Sequence, residues 1–209
     1  MRFFYQFTRL SGWIVALPYF RKKVYYLNEA IQKRKIKGAM IIVCNHTDLL
    51  DFALLYYTFN SRYLRPIGGE VLFKKKANRI FFNAIGVIQA NRYSNNYSFM
   101  GEAEKVLENN GVLVMFPEAR LPRPGEVNGT TFTHGATYLA LETGVKILPV
   151  YVKDVRNSKT NSKVVIGVPF DIRMLYDESI SKEENVQSIT EKIRESVYSL
   201  EEVINEEKK

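Results

Sequence analysis

One cysteine, one tryptophan and two histidines are all that these types contribute to 209 residues. A lone Cys44 cannot close an internal disulfide. A disulfide-stapled miniprotein is therefore excluded, and a reducing, cytosolic compartment is favoured. His46 and His134 stand far apart with no Cys/His cluster around either, so no metal is assigned. Neither Gly-x-x-x-x-Gly-Lys-Ser/Thr nor Gly-x-Gly-x-x-Gly occurs, which removes the fingerprints of nucleotide cofactors. Long apolar runs are missing too. The stretch from Gly12 to Phe20 has nine residues, where a bilayer crossing needs about 20. No small-residue cleavage site follows it and bases lie on both sides, so a signal peptide is not expected.

The remaining composition suits a globular fold. With 46% apolar and 25% charged residues the chain has material for a core and is neither collagen-like nor disordered. Its net charge of +8 is unevenly spread. Residues 1–37 carry nine Lys or Arg against Glu29 alone, whereas the stretch from Asp177 onward carries ten acids and five bases. A basic pole of this kind seeks phosphates, on nucleic acid or on an anionic membrane. In residues 1–20 the bases alternate with Phe3, Phe4, Tyr5, Phe7, Trp13, Tyr19 and Phe20. That company fits an amphipathic helix lying in the headgroup region. A helix packed on the protein's own core with a solvated basic face fits equally well.

Strand and helix patterns alternate beyond this segment. Ala39–Cys44, residues 63–67, Gly86–Ala90, Val112–Phe116, Ile147–Val152 and Val164–Val168 read as strands. Leu49–Phe59, residues 71–84, Ser98–Asn109, Gly135–Thr143 and Ser181–Glu206 read as helices, with Asn109-Asn110-Gly111 and Gly144 as stop signals. The expectation is an α/β domain over residues 38–209, a single mixed, largely parallel sheet flanked by helices. Residues 1–37 are expected as a separate N-terminal helical membrane-docking attachment.

Chemistry is sought where strands end. Directly after the first buried strand comes Asn45-His46-Thr47-Asp48-Leu49-Leu50-Asp51. On one ideal helix His46 and Asp51 would stand about 140° apart, but a strand-to-helix turn can bring them together. A carboxylate on one imidazole nitrogen fixes the tautomer and leaves the other nitrogen to take a proton. As bare spacing the pair is equally a helix cap and a solvated acid. Gly86-Val87-Ile88-Gln89-Ala90-Asn91-Arg92 places an arginine at the end of another strand, and Phe116-Pro117-Glu118-Ala119-Arg120 places a Glu and an Arg at a third. His134 reads as a capping or solvent-exposed residue, and Lys74, Lys75 and Lys76 as a solvated helix face or a partner for headgroup or carrier phosphates.

Taken in order with Ile147-Leu148-Pro149-Val150, these blocks resemble the glycerolipid acyltransferases, specifically the 1-acylglycerol-3-phosphate acyltransferase family. The resemblance runs over roughly residues 38–152, with Asn-His-x-x-x-x-Asp as its hallmark. One block departs from the family's Phe-Pro-Glu-Gly-Thr-Arg-Ser. Ala119 stands in place of the glycine, and Arg120 comes one position early. The resemblance implies an O-acyltransferase moving a fatty acyl group from acyl-CoA or acyl carrier protein to the hydroxyl of a lysophospholipid such as 1-acylglycerol-3-phosphate. His46 would be the base, Asp51 its orienting partner, Arg92 the phosphate ligand, and Glu118 and Arg120 further acceptor-binding groups. Cys44 is then a small buried apolar residue. The thioester is a co-substrate and no cofactor is implied. The expected address is the cytoplasmic face of the cell membrane, peripherally bound, with an anionic membrane surface as partner and no nucleic acid. The competing class is a non-catalytic basic protein that binds anionic lipid or nucleic acid.

Overall fold

The computed structural model describes residues 21–91, 98–121, 131–155 and 161–206. Seven strands form one sheet: β1 (Lys22–Tyr26), β2 (Met40–Cys44), β3 (Leu64–Gly69), β4 (Ile88–Ala90), β5 (Val112–Met115), β6 (Ile147–Lys153) and β7 (Ser162–Ile166). The described helices are α1 (Asp51–Thr58), α2 (Lys76–Ala84), α3 (Ser98–Glu108), α4 (Gly135–Thr143), α5 (Lys182–Tyr198) and α6 (Glu201–Glu206). The spatial order of the strands is β1-β7-β6-β2-β5-β3-β4. The five from β6 to β4 run parallel, β7 is antiparallel to β6, and β1 is parallel to β7. The sheet is therefore mixed and largely parallel, as the alternation of patterns implies.

Its central strands read as unbroken apolar runs because both of their faces are buried. Along β2, Ile41 and Val43 point to a layer shared with Leu139, Ile189, Ile193 and Val197. Met40, Ile42 and Cys44 point to the opposite layer, shared with Leu54, Leu55 and Phe59 of α1 and its end. Each fully buried Leu or Ile of this kind contributes about 1.5–3 kcal/mol. Gly144 closes α4 at φ 65, the left-handed conformation that glycine adopts without strain.

Three expectations are corrected. The boundary after residue 37 does not hold, because Lys22–Tyr26 is a strand in register with Ser162–Ile166 of the main sheet. Two further β-branched and aromatic positions, Val24 and Tyr25, pack on the two core layers, so tertiary pairing absorbs a segment whose basic residues read as surface. The helical part of that attachment falls on residues 1–20, outside the described residues. The helix expected over 71–84 splits into a 3-10 turn, Glu70–Phe73, and α2, because Lys75 is extended (ψ 136). The last helix likewise breaks after Tyr198, where the chain turns to bury Leu200 and Ile204.

Candidate active site

β2 ends at Cys44, and the next side chain continues its pairing. The Asn45 amide donates to the Val152 carbonyl (2.9 Å), and its oxygen accepts from the Val152 N–H (2.7 Å). This imitation of a strand residue pins the chain to β6 at the point where it turns. His46 is consequently presented at the carboxyl-terminal edge of the parallel strands, where its ring packs on Phe116 with centroids 4.6 Å apart.

Asp51 is fully buried at the first position of α1 and organises the turn. Its Oδ2 accepts from His46 Nδ1 (2.8 Å), from the Thr47 N–H (2.6 Å) and from the Asp48 N–H (2.9 Å). Its Oδ1 accepts from the Thr47 hydroxyl (3.0 Å). A carboxylate oxygen can only accept, so the shared proton belongs to Nδ1, and Nε2 is the basic nitrogen. The His46 side chain keeps 18% of its surface exposed, and no group among the described residues bonds Nε2. The turn, not a shared helix face, joins residues five apart in sequence. Asp48 is occupied locally, its carboxylate accepting from the Leu50 N–H (2.9 Å).

Glu118 arrives from the other side, in the loop after β5. Its Oε1 accepts from the His46 N–H (3.0 Å) and from the Tyr198 hydroxyl (2.7 Å), while its buried Oε2 has no partner among the described residues. Burial pushes its pKa up, against the opposing pull of the Tyr198 hydroxyl and the His46 N–H. Burial and the Glu118 carboxyl push the Tyr198 phenol upward as well, which keeps it a donor. Ala119, next in the chain, sits at φ 58, the left-handed region where a side chain is strained. Burial also raises the Cys44 thiol well above its ordinary value, which keeps it in the neutral, less nucleophilic form.

The structure thus brings His46, Asp51 and Glu118 together. Arg120 follows Glu118 by two residues, and its guanidinium donates to the Leu121 carbonyl (3.1 Å). Arg92 lies outside the described residues; β4, which precedes it, ends on the same edge as β2. His134 does not cap α4 with its side chain, and its Nδ1 meets the Thr190 hydroxyl instead (3.0 Å). Sequence reasoning missed Tyr198, which reaches the site from α5. Nothing local marks it, since a tyrosine on an amphipathic helix reads as core. A cleft of about 520 Å³ lined by Arg62, Tyr63, Arg65, Glu102 and Lys105 opens beside the starts of β3 and β5, at the opposite edge. Its arginines hold carbonyls of Ile36, Gly38 and Asn110 and the Glu102 carboxylate.

Residues 23–153 match the family model described as Acyltransferase. The chain belongs to the acyltransferase family. The match begins inside β1, in accord with the placement of that strand in the sheet. The chain is 30% identical over 156 residues to a 1-acyl-sn-glycerol-3-phosphate acyltransferase of Borreliella burgdorferi, an alignment covering 71% of this chain and 56% of that protein. It spans little more than half the length of that relative. It also shares its fold with the crystal structure of the 1-acyl-sn-glycerophosphate (LPA) acyltransferase PlsC from Thermotoga maritima. The TM-score is 0.63 at 21% identity, over 97% of this chain and 78% of that one. Among the described residues no helix is long and apolar enough to cross a membrane.

Proposed function

We propose that this member of the acyltransferase family transfers a fatty acyl group from a thioester donor, acyl-CoA or acyl carrier protein, to the free hydroxyl of 1-acylglycerol-3-phosphate, giving phosphatidate. The observation that carries the reading is the His46–Asp51 contact, which leaves a partly exposed, oriented basic nitrogen beside the buried Glu118 carboxyl, whose Oε2 has no partner among the described residues. Nε2 of His46 takes the acceptor hydroxyl proton as the oxygen attacks the thioester carbonyl. The tetrahedral intermediate expels the thiolate by breaking the C–S bond, and the imidazolium returns the proton to sulfur. Asp51 holds the ring and stabilises its charged form. Oε2 of Glu118 accepts from the acceptor. Arg92 is assigned the phosphate because it follows a strand that ends on this edge, and a guanidinium pairs bidentately with phosphate oxygens. Arg120 is a second candidate for the acceptor.

The reaction is placed at the cytoplasmic face of the cell membrane, with the aromatic and basic residues 1–20 as the attachment. In support, β1 runs opposite to β2, so the chain enters it at the edge that carries His46. Purified protein offered a panel of lysophospholipids with each donor, with products read by mass spectrometry, tests the activity. Phosphatidate formed by the parent protein and lost in His46→Ala supports the proposal. Absence of acyl transfer to any lysophospholipid, with retained binding to anionic lipid, returns the chain to the non-catalytic class.

A further inference from the structure

The turn Glu70–Phe73 and α2 follow β3 directly and so begin on the edge that carries His46. They are joined to it by packing, since Phe52, the neighbour of Asp51, lies against the Phe73, Ile85 and Val87 cluster. α2 itself buries no residue completely. It turns Phe82 inward, where that ring meets Phe73, and leaves Ile80 63% and Phe81 47% exposed. On helical geometry Ala77, Ile80, Phe81 and Ala84 share an arc of about 100°. Val71, and Leu49 in the His46 turn, are exposed apolar residues near the same edge.

Apart from Glu70, half-buried at the start of the turn, the charges around this apolar arc have one sign. Lys74, Lys75, Lys76 and Arg79 are all exposed, and no acid occurs from Val71 through Val87. Arg79 is anchored at the Phe73 carbonyl. An exposed apolar arc flanked by cations has the chemistry of a contact for a surface that is apolar and anionic at once. At nine residues it is about 14 Å long, too short to cross a bilayer.

We infer that the surface formed by the turn Glu70–Phe73 and α2 is a second membrane contact, seating Ile80 and Phe81 below the headgroups of an anionic leaflet while Lys74, Lys75 and Lys76 meet the phosphates. β1, where residues 1–20 join the sheet, and β3, where this surface begins, are five strand spacings apart, about 24 Å. β2 and His46 lie between them. Attachment at both ends fixes the tilt of the edge, so the mouth at His46 faces the bilayer instead of pivoting about one anchor. The inference rests on the reading of a lipid acceptor at His46, but it is tested by lipid contact and not by turnover.

The experiment uses the full chain with vesicles of phosphatidylcholine alone or with one quarter phosphatidylglycerol. The double variant Trp13→Phe/Phe81→Trp carries its sole indole at position 81, and brominated-chain lipid should quench it strongly in the vesicle-bound protein. Lys74→Glu/Lys75→Glu/Lys76→Glu should weaken partition into the anionic vesicles about 100-fold or more. These lysines are exposed, so the variant keeps the fold, which circular dichroism checks. An unquenched indole in the bound protein overturns the inference. So does a charge-reversed variant that partitions like its parent, including the case where it loses binding to an acidic acyl carrier protein instead. Failure of the acyl-transfer assay with quenching intact would sink the function and leave the contact standing.

Discussion

Asp51 and His46 touch each other yet differ in what they hold. Asp51 satisfies two backbone N–H groups and a hydroxyl as well as the imidazole, and each hydrogen bond to a charged group contributes about 1.5–3 kcal/mol. Asp51→Ala should therefore lose activity and about 3 kcal/mol or more of stability. His46→Ala should lose about a thousandfold in turnover with a stability change within about 1 kcal/mol. Urea unfolding beside the acyl-transfer assay separates the two, and equal destabilisation would show His46 to be structural. Ala119 offers a test of the opposite sign. Its left-handed conformation costs roughly 1–2 kcal/mol, and glycine gives back about 0.4–1 kcal/mol in unfolded-chain entropy. Ala119→Gly should thus raise stability by up to about 1.6 kcal/mol, read from the urea midpoint.

Glu118 adds a pH dependence at the same scale. Because burial raises its pKa, the folded protein binds this proton more tightly than the unfolded chain. The cost is absent below the ordinary value of 4.5 and complete above the raised one, so stability falls as pH rises through that window. The difference in melting temperature, Glu118→Gln minus wild type, should grow in that direction between pH 4 and 8. A pH-independent difference would mean that the carboxyl is solvated.

At the scale of elements, α5 is the piece that no local pattern assigns to the site. It begins with a complete capping box between Ser181 and Glu184, which fixes where its register starts. Its inner face, Val186, Ile189, Ile193 and Val197, is buried, the last three in the core layer under β2. That packing delivers Tyr198, one residue on, to Glu118 and against Phe132 and Tyr151. Tyr198→Phe keeps the ring and removes one hydrogen bond that lowers the Glu118 pKa. A carboxyl-carbon NMR titration of Glu118 should then move upward, and no movement would deny that the bond is made in solution.

For the whole molecule, the decisive contact is β1 on β7. β7 runs against β6 and the four strands beyond it, and its far edge is covered by β1, which runs parallel to it. Without β1 it would present bare N–H and C=O groups beside the apolar Val164 and Ile166, an aggregation-prone edge. Residues 38–209 alone should aggregate or fold poorly in comparison with residues 21–209. Size-exclusion chromatography and circular dichroism check this, and a monomeric, cooperatively folding 38–209 would show β1 to be dispensable.

What the sequence determined by itself was local or ordered along the chain. Short apolar runs bounded by turn residues marked β2, β5 and β6, since a strand buried on both faces needs apolar residues throughout. Asn-His-x-x-x-x-Asp, followed in order by the Glu118 block, marked the edge where the site lies. Only the tertiary structure decided the rest. Whether Lys22–Tyr26 pairs with Ser162–Ile166 depends on strands some 140 residues apart meeting in space, and composition carries no trace of such a pairing. The bend at Asn45, the convergence of Glu118 on the His46 N–H, and the arrival of Tyr198 from α5 are likewise distances across the fold. Residue spacing describes neighbours on one element; packing decides which elements become neighbours.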